Sequence, residues 1–306
     1  MSKYSDTTTL LEPQVNQYGR NMVMTNVHRE MKRKYINIDT KFRDEYNSEY
    51  NSSSLANYTI TLPERITNVQ SIMVCTAEIP LTYYNISANL GNNHFTIVFG
   101  GLGQTVIIPD GQYTSSTLAS AINAKIQLLS DANYKTLVYA LSGKKATFRC
   151  SSGSVEVQFD MDSTGTFDKY NFKSKIGWSL GSRKQSYTIT TATSLSECLI
   201  DLNGPRYLYL VIDEFSQNNT NSFISPQAGF LMNKNILARI TINSTTFPNG
   251  AILPANNFNG YLLTDRRNYN GIIDIKKFNV QLVNDIGKVM DLNGMDFSFC
   301  LEITQE

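Results

Sequence analysis

From residue 35 onward, apolar and polar positions alternate with the period of two that sends one face of a strand to a core and the other to solvent. Tyr35-Ile36-Asn37-Ile38-Asp39 and Tyr58-Thr59-Ile60-Thr61-Leu62 both read this way, and residues 69–79 form a long β-rich run stopped by Pro80. Phe95-Thr96-Ile97-Val98-Phe99 and Thr105-Val106-Ile107-Ile108 follow, with Gly100-Gly101-Leu102-Gly103 between them as a hairpin loop. Further strands are predicted at 136–141, 146–150, 155–159, 187–190, 207–213, 236–242, 272–282 and 297–303. Turn signals punctuate the later part: Asn249-Gly250, Asn259-Gly260, Asn270-Gly271 and Asp285-Ile286-Gly287.

One segment changes period. Leu118, Ala119, Ala121, Ile122, Ile126 and Leu129 fall on a 3.6-residue spacing behind Thr114-Ser115-Ser116-Thr117, which can cap a first turn. This predicts a helix at about 116–129, the one long helix of the chain. Many short strands, frequent turns and no βαβ rhythm predict an all-β protein, an antiparallel β-sandwich or barrel. Strands on both sides of 90–180 read as one framework. That interval carries its own hairpins and the helix, so an inserted β-rich module is expected at 90–180, with the framework at 35–89 and 181–306.

Residues 1–34 lack this patterning. Thr7-Thr8-Thr9, Pro13, Gln14, Asn16, Gln17 and Gly19 precede a mildly basic stretch, His28-Arg29-Glu30-Met31-Lys32-Arg33-Lys34. An extended arm is expected, ordered where it lies on a partner. Tyr18, Met22, Val23, Met24 and Val27 are its candidate apolar anchors, and Arg29, Lys32 and Arg33 its candidate polar contacts.

Composition narrows the function classes. Of 306 residues, 17% are charged, below the roughly 25% usual for globular chains, and Asn, Ser and Thr supply more than a quarter. Lys and Arg number 27 against 26 Asp and Glu. A net charge of +1 gives no whole-chain attraction to nucleic acid or membranes, so no specific nucleic-acid partner is expected. No apolar run approaches the roughly 18 residues of a spanning helix, and Met1-Ser2-Lys3-Tyr4-Ser5-Asp6 has no apolar signal core, so Sec-type secretion is not expected. Cys75, Cys150, Cys198 and Cys300 lie far apart, without metal-ligand spacing. Cys75 and Cys300 sit in apolar runs and are expected to be buried free thiols, folded in a reducing compartment.

Residues with catalytic grammar are scarce. Nucleophilic triads need a base beside Ser or Cys, and the only histidines are His28, in the arm, and His94, beside a strand start. Gly100-Gly101-Leu102-Gly103 lacks the Gly-Lys-Ser/Thr ending of a phosphate loop. Asp160, Asp162, Thr164 and Gly165 match the first half of a calcium loop, but Asn171 stands where its bidentate Glu belongs. Asp291, Asn293, Gly294 and Asp296, and Asp201, Asn203 and Gly204, are similar clusters that Asx-turns explain. No catalytic, cofactor or metal residue is assigned.

Several segments, in order, resemble a family. Asn37-Ile38-Asp39-Thr40-Lys41-Phe42-Arg43-Asp44, Asn57-Tyr58-Thr59-Ile60-Thr61-Leu62-Pro63 and Ala77-Glu78-Ile79-Pro80-Leu81-Thr82-Tyr83-Tyr84 are similar to the opening of penton and minor capsid proteins of nucleocytoplasmic giant DNA viruses and their virophages, the Sputnik-like ones included. Ile108-Pro109-Asp110-Gly111-Gln112-Tyr113 and Ile176-Gly177-Trp178-Ser179-Leu180-Gly181 resemble an insert in that group. Arg267-Asn268-Tyr269, residues 275–282 and Met290-Asp291-Leu292-Asn293-Gly294-Met295-Asp296-Phe297-Ser298-Phe299 complete the resemblance. It spans nearly all of 35–303. Where the family has Leu-Gly-Phe-Arg, this chain has Leu180-Gly181-Ser182-Arg183.

The resemblance implies a single jelly roll of two four-stranded antiparallel sheets, used as a capsid building block of the virion and assembled in the host cytoplasm. As a penton protein it would form a homopentamer, close the five-fold vertices of an icosahedral shell, and contact a major capsid protein with double jelly rolls. The inserted module would project outward, where host glycans are candidate partners. Two alternatives stay open on the sequence: a non-vertex minor capsid protein that cements or lines the shell, and a carbohydrate-binding or hydrolytic β-sandwich.

Overall fold

The computed structural model describes residues 14–15, 21–22, 31–43, 56–216, 223 and 235–306. In chain order its strands and helices are β1 (Gln14–Val15), β2 (Asn21–Met22), β3 (Lys32–Asp39), β4 (Asn57–Pro80), β5 (His94–Phe99), β6 (Leu102–Ile107), α1 (Ser115–Gln127), β7 (Leu137–Ser142), β8 (Lys145–Cys150) and β9 (Val155–Gln158). Then come α2 (Ile176–Ser179), β10 (Ser186–Ile189), β11 (Ser194–Leu195), β12 (Tyr207–Asp213), β13 (Ile236–Thr241), β14 (Ile252–Asn256), β15 (Leu262–Thr264), β16 (Arg267–Asn284) and β17 (Ser298–Gln305). The protein is all-β, and the strand pairs of its sheets are antiparallel, as in a jelly-roll sandwich.

An eight-stranded sheet runs β15-β13-β12-β16-β4-β17-β3, with β14 also paired to β4. Its alternating apolar residues converge on one core. Ile38 from β3, Val74 and Ala77 from β4, Leu208 and Leu210 from β12, Phe278 and Val280 from β16, and Phe299 and Leu301 from β17 all belong to that core. Strands from both ends of the pairing order fill one interior, so the sheet curls on itself.

β4 makes the curl. Its residues 57–72 pair with β16, 69–78 with β17, and 76–80 with β14. Two segments that alternation reads as separate strands are therefore one strand of 24 residues. Pro63, which lacks an N–H to donate, sits where the β16 ladder slips between the pairs Thr61–Lys277 and Ile66–Ile275. There the Lys276 ammonium donates to the Leu62 and Pro63 carbonyls at 2.7 and 3.2 Å. The turn expected at Asn270-Gly271 is not a turn: β16 continues through it, with a register shift between Asn268 and Ile273 and Gly271 at φ +104. Long-range pairing with a bent β4 overrides the local turn signal. β14 and β15 escape the sequence pattern because Pro254 interrupts the first and the second has three residues. Pro254 is tolerated because β14 is held on one side only, against β4.

A second core gathers residues between Ile86 and Ile189. One sheet of four strands runs β10-β9-β5-β6 and another of three runs β11-β8-β7. β10 and β11 follow residue 180 and pair inside this group. The expected helix forms as α1, with Leu118, Ile122 and Ile126 fully buried. Thr114 caps it through a reciprocal pair: Thr117 N–H donates to Thr114 Oγ1 and Thr114 N–H to Thr117 Oγ1, at 3.3 and 2.9 Å. Asn123 docks the helix on β7, its amide bonding both the carbonyl and the N–H of Tyr139.

Cys150 is buried as a small hydrophobe, but Cys75 and Cys300 are half-buried rather than buried, on the outer face of the curled sheet. Alternation explains this, since their neighbours Val74, Phe299 and Leu301 take the core positions.

Gly181 is buried at φ +87, and a Cβ there would fall on the Cys198 carbonyl oxygen. Gly271 has a positive φ but open space around it. Gly181→Ala should therefore lose about 2–5 kcal/mol, combining strain with overpacking, and Gly271→Ala only about 1–2 kcal/mol. Urea midpoints of the two variants check this; equal losses would refute it.

Candidate assembly surface

Four segments that are distant in sequence are bonded to one another at one end of the curled sheet. Asp39 ends β3, and its Oδ1 accepts the Lys41 N–H at 2.9 Å, which caps a 3-10 turn at Thr40–Phe42. The turn drives Thr40 into the interior, where it is 0% exposed. Thr40 N–H donates to the Phe297 carbonyl at 3.0 Å, Phe297 N–H donates to Thr40 Oγ1 at 2.9 Å, and that hydroxyl donates to Asp296 at 2.8 Å. Arg43 reaches back to the Thr40 carbonyl and to Asp296, at 2.9 and 3.4 Å.

The other segments join the same place. The Tyr58 ring meets Phe297 edge-on at 6.3 Å, and Ser298 donates to Glu78 at 2.8 Å. Past the end of β4, Thr82 donates to the Leu292 carbonyl, while the Asn293 amide donates to the Thr82 carbonyl, both at 2.5 Å. Asn293 holds a left-handed φ of +53, fixed by its N–H on Asp291 Oδ1. The motifs at 37–43, 57–63, 77–84 and 290–299 are thus one bonded junction. Phe42 and Met295 stand on it 71% and 48% exposed, and Tyr84 also shows its ring to solvent. Exposed apolar side chains on a rigid base are what a protein contact uses.

β3 adjoins the junction as the last strand of the sheet, paired to β17. Lys32, Arg33 and Lys34 are exposed there, and such charge discourages unspecific strand addition. On the outer face Glu302 is buried beneath Arg266, which donates to it at 2.5 Å, and Tyr35 donates to it at 3.2 Å. The Arg266 hydrogen bond holds the Glu302 carboxyl below the usual carboxylate range, and Glu302 in turn raises the Tyr35 phenol. Of the expected arm contacts, Lys32 and Arg33 belong to β3, and Met22 to β2, which pairs with β1. Tyr18, Val23, Met24, Val27 and Arg29 lie outside the described residues.

Between the two cores lies a cleft of about 460 Å³, lined by Trp178, Arg183, Asp201, Arg206, Tyr207 and Asp285 among others. The Arg183 guanidinium stacks 3.9 Å from the Trp178 ring and donates to the Trp178 and Ser182 carbonyls. Arg206 pairs with Asp201 at 3.3 Å, and burial pushes the Asp285 carboxyl up. Ser182 is buried at this turn.

The acidic clusters act locally. Asp162 Oδ1 accepts from Thr164 N–H, Thr164 Oγ1 and Thr166 N–H, and Asp201 and Asp291 each accept the N–H two residues on. No group of three or more His, Cys, Asp or Glu is gathered for a metal among the described residues. His94 is buried with its ring nitrogens 3.1 and 3.2 Å from Asn93 Oδ1 and the Met161 carbonyl, and burial lowers its pKa. His28 lies outside the described residues.

Two solved structures align with most of the chain. A crystal structure of the mavirus penton protein covers 91% of this chain and 100% of its own, at a TM-score of 0.42 and 8% identity. A chain from the cryo-EM structure of the Sputnik virophage covers 89% and 98%, at a TM-score of 0.40 and 13% identity. No family model and no curated protein matches.

The junction could not be found from any one motif, because each is short; the signal lay in Thr40, Thr82 and Asn293, polar residues beside strand ends. Thr40→Val keeps the shape and removes the hydroxyl, leaving the Phe297 N–H and Asp296 without that partner. A loss of about 1–3 kcal/mol is expected, with faster amide hydrogen exchange at Phe297. Unchanged stability and exchange would show that Thr40 does not hold the junction.

Proposed function

We propose that this chain is a structural virion protein, a penton whose five copies close a vertex of an icosahedral capsid and contact a major capsid protein built of double jelly rolls. The observation that carries this is the bonded junction. Four of the segments through which the sequence resembles penton and minor capsid proteins hold each other in place there, with Phe42, Tyr84 and Met295 presented on them.

A penton works by geometry. Five copies in a ring make identical head-to-tail contacts, which close when each step rotates by roughly 72°. A curled sheet over a packed core resists bending, so it can fix that angle. Residues 1–34 are proposed as the arm that orders on neighbouring major capsid proteins, with β3 as its base. Ordering a segment costs entropy, so it occurs where the shell supplies a surface. The role is architectural and sets the chain in the virion, after assembly in the host cytoplasm. The non-vertex alternative keeps the same junction and differs in partners.

Light scattering of the full-length protein over a concentration range, alone and with the major capsid protein, separates the two. A species near five times 34.4 kDa is expected in at least one condition; binding to that partner as a monomer throughout would favour the non-vertex role. Deleting residues 1–30 should leave a folded chain that fails to enter shells, and normal incorporation of the truncation would overturn the arm's role.

We further propose the cleft beside Trp178 as a host-glycan site. It combines an Arg-backed aromatic ring with polar walls, a combination that suits a sugar's CH face and its hydroxyls. On a glycan array the full-length protein should bind a defined set of sugars, and Trp178→Ala should lower that signal at least about tenfold, the equivalent of roughly 1.4 kcal/mol. A Trp178→Ala protein that binds the array like the parent would remove the cleft from the proposal.

A further inference from the structure

β4 carries one residue too many where it lies against β17. Thr76 pairs with Cys300 and Val74 with Leu301, which leaves Cys75 as the extra residue of a β-bulge. Burial shows which way it points. Val74 and Ala77 are 0% exposed in the core, while Cys75 and Thr76 between them are both half-buried on the opposite face. On β17, Phe299 and Leu301 are buried and Cys300 between them is half-buried. Cys75 and Cys300 therefore stand across from each other on the same outer face. The Cys300 thiol lies 3.9 Å from the Leu301 carbonyl oxygen, beside the bulge.

We propose that Cys75 and Cys300 are an oxidisable dithiol, closed into an intramolecular disulfide by exchange with a low-molecular-weight disulfide such as oxidised glutathione. In a bulge two residues oppose one on the partner strand, so Cys75 shares with Thr76 the place across from Cys300. Directly opposed residues hold their Cβ atoms roughly 4.5–5.5 Å apart, and a disulfide spans roughly 3.5–4.5 Å. A small shift at an already irregular point of the ladder closes the gap. One cysteine thiolate attacks the reagent's S–S bond, forming a mixed disulfide and releasing one reagent thiolate. The other cysteine then attacks the protein sulfur of that mixed disulfide, forming the Cys75–Cys300 bond and releasing the second. Two electrons pass to the reagent, and the two protons from the cysteines go to the released thiolates.

The other thiols are placed apart from this pair. Cys150 is buried in the second core and donates to the Ile189 carbonyl at 3.4 Å, and Cys198 sits against Gly181. Burial raises the Cys75 and Cys300 thiols above their ordinary values, so thiolate is scarce near neutrality and closure is slow in a reducing cell interior. Once closed, the bond would tie β17, and through it the edge strand β3, to β4. That places a redox-dependent lock at the base proposed for the arm, although the chemistry itself does not depend on the penton reading.

The reduced full-length protein, equilibrated with oxidised glutathione, alkylated and mapped by mass spectrometry without reduction, tests this. A Cys75–Cys300 linked peptide should dominate, from a monomeric fraction, with Cys150 and Cys198 recovered alkylated. Its rate of formation should rise roughly tenfold between about pH 6 and 7 as thiolate accumulates. Cys75 and Cys300 recovered as two separate glutathione adducts, as free thiols at equilibrium, or linked to another cysteine would each overturn the proposal.

Discussion

The curled sheet depends on one strand being shared by two ladders. β4 is flanked by β16 along its first part and by β17 and β14 along its last, so its backbone is paired along most of its length and on both sides where the ladders overlap, at residues 69–72 and 76–78. Sharing demands that it bend. The bend is distributed over Pro63, over Asn68 at a left-handed φ of +55, and over the bulge at Cys75. Two of these irregularities have a local remedy: Lys276 covers the Leu62 and Pro63 carbonyls, and Asp274 accepts the Asn68 N–H. Between the irregularities Val69, Ile72 and Val74 are fully buried, so the bent strand still delivers apolar side chains to the core. Such a fold is dominated by non-local pairing. Asn57 pairs with Gln281 and Glu78 with Ser298, so the sheet cannot close until almost the whole chain is available.

This also decides what could be read in advance. A strand such as β12, whose Leu208, Tyr209, Leu210, Val211 and Ile212 are all buried, announces itself by its apolar composition, and α1 does so by its spacing and its Thr114 cap. Elements defined by their partners do not. β4 reads as two strands because Pro63 is a breaker in sequence and a bulge position in space. Asn270-Gly271 has the chemistry of a hairpin turn, yet β4 needs a continuous neighbour there. β11, β14 and β15 are short edge pieces recruited by strands already in place.

The junction was legible only as an ordered resemblance, since hydrogen bonds among Thr40, Asp296, Thr82 and Asn293 leave no periodic trace. Half-burial of Cys75 is a further case. The run Ile72-Met73-Val74-Cys75 looks uniformly internal, but with Val74 at a core position alternation sends Cys75 outward, and the bulge keeps Thr76 on that same face before Ala77 returns to the core.

Directional bonds tie the two cores. Asn85 sits between them with its amide N–H₂ donating to the Tyr113 and Leu202 carbonyls and its oxygen accepting the Tyr113 N–H, all at 2.8 Å. Asn92 then donates to the Asn85 carbonyl and accepts the Ser87 N–H, and Lys288, from beyond β16, donates to the Leu90 carbonyl. Apolar contacts tolerate sliding, whereas a buried amide with its donors and acceptors engaged tolerates one arrangement, because any rotation leaves a buried polar group unpaired. The second core is therefore held in one orientation on the curled sheet. For the penton role proposed above this matters, because a module that projected outward would present a fixed surface only if the body that sets the ring angle also set the module.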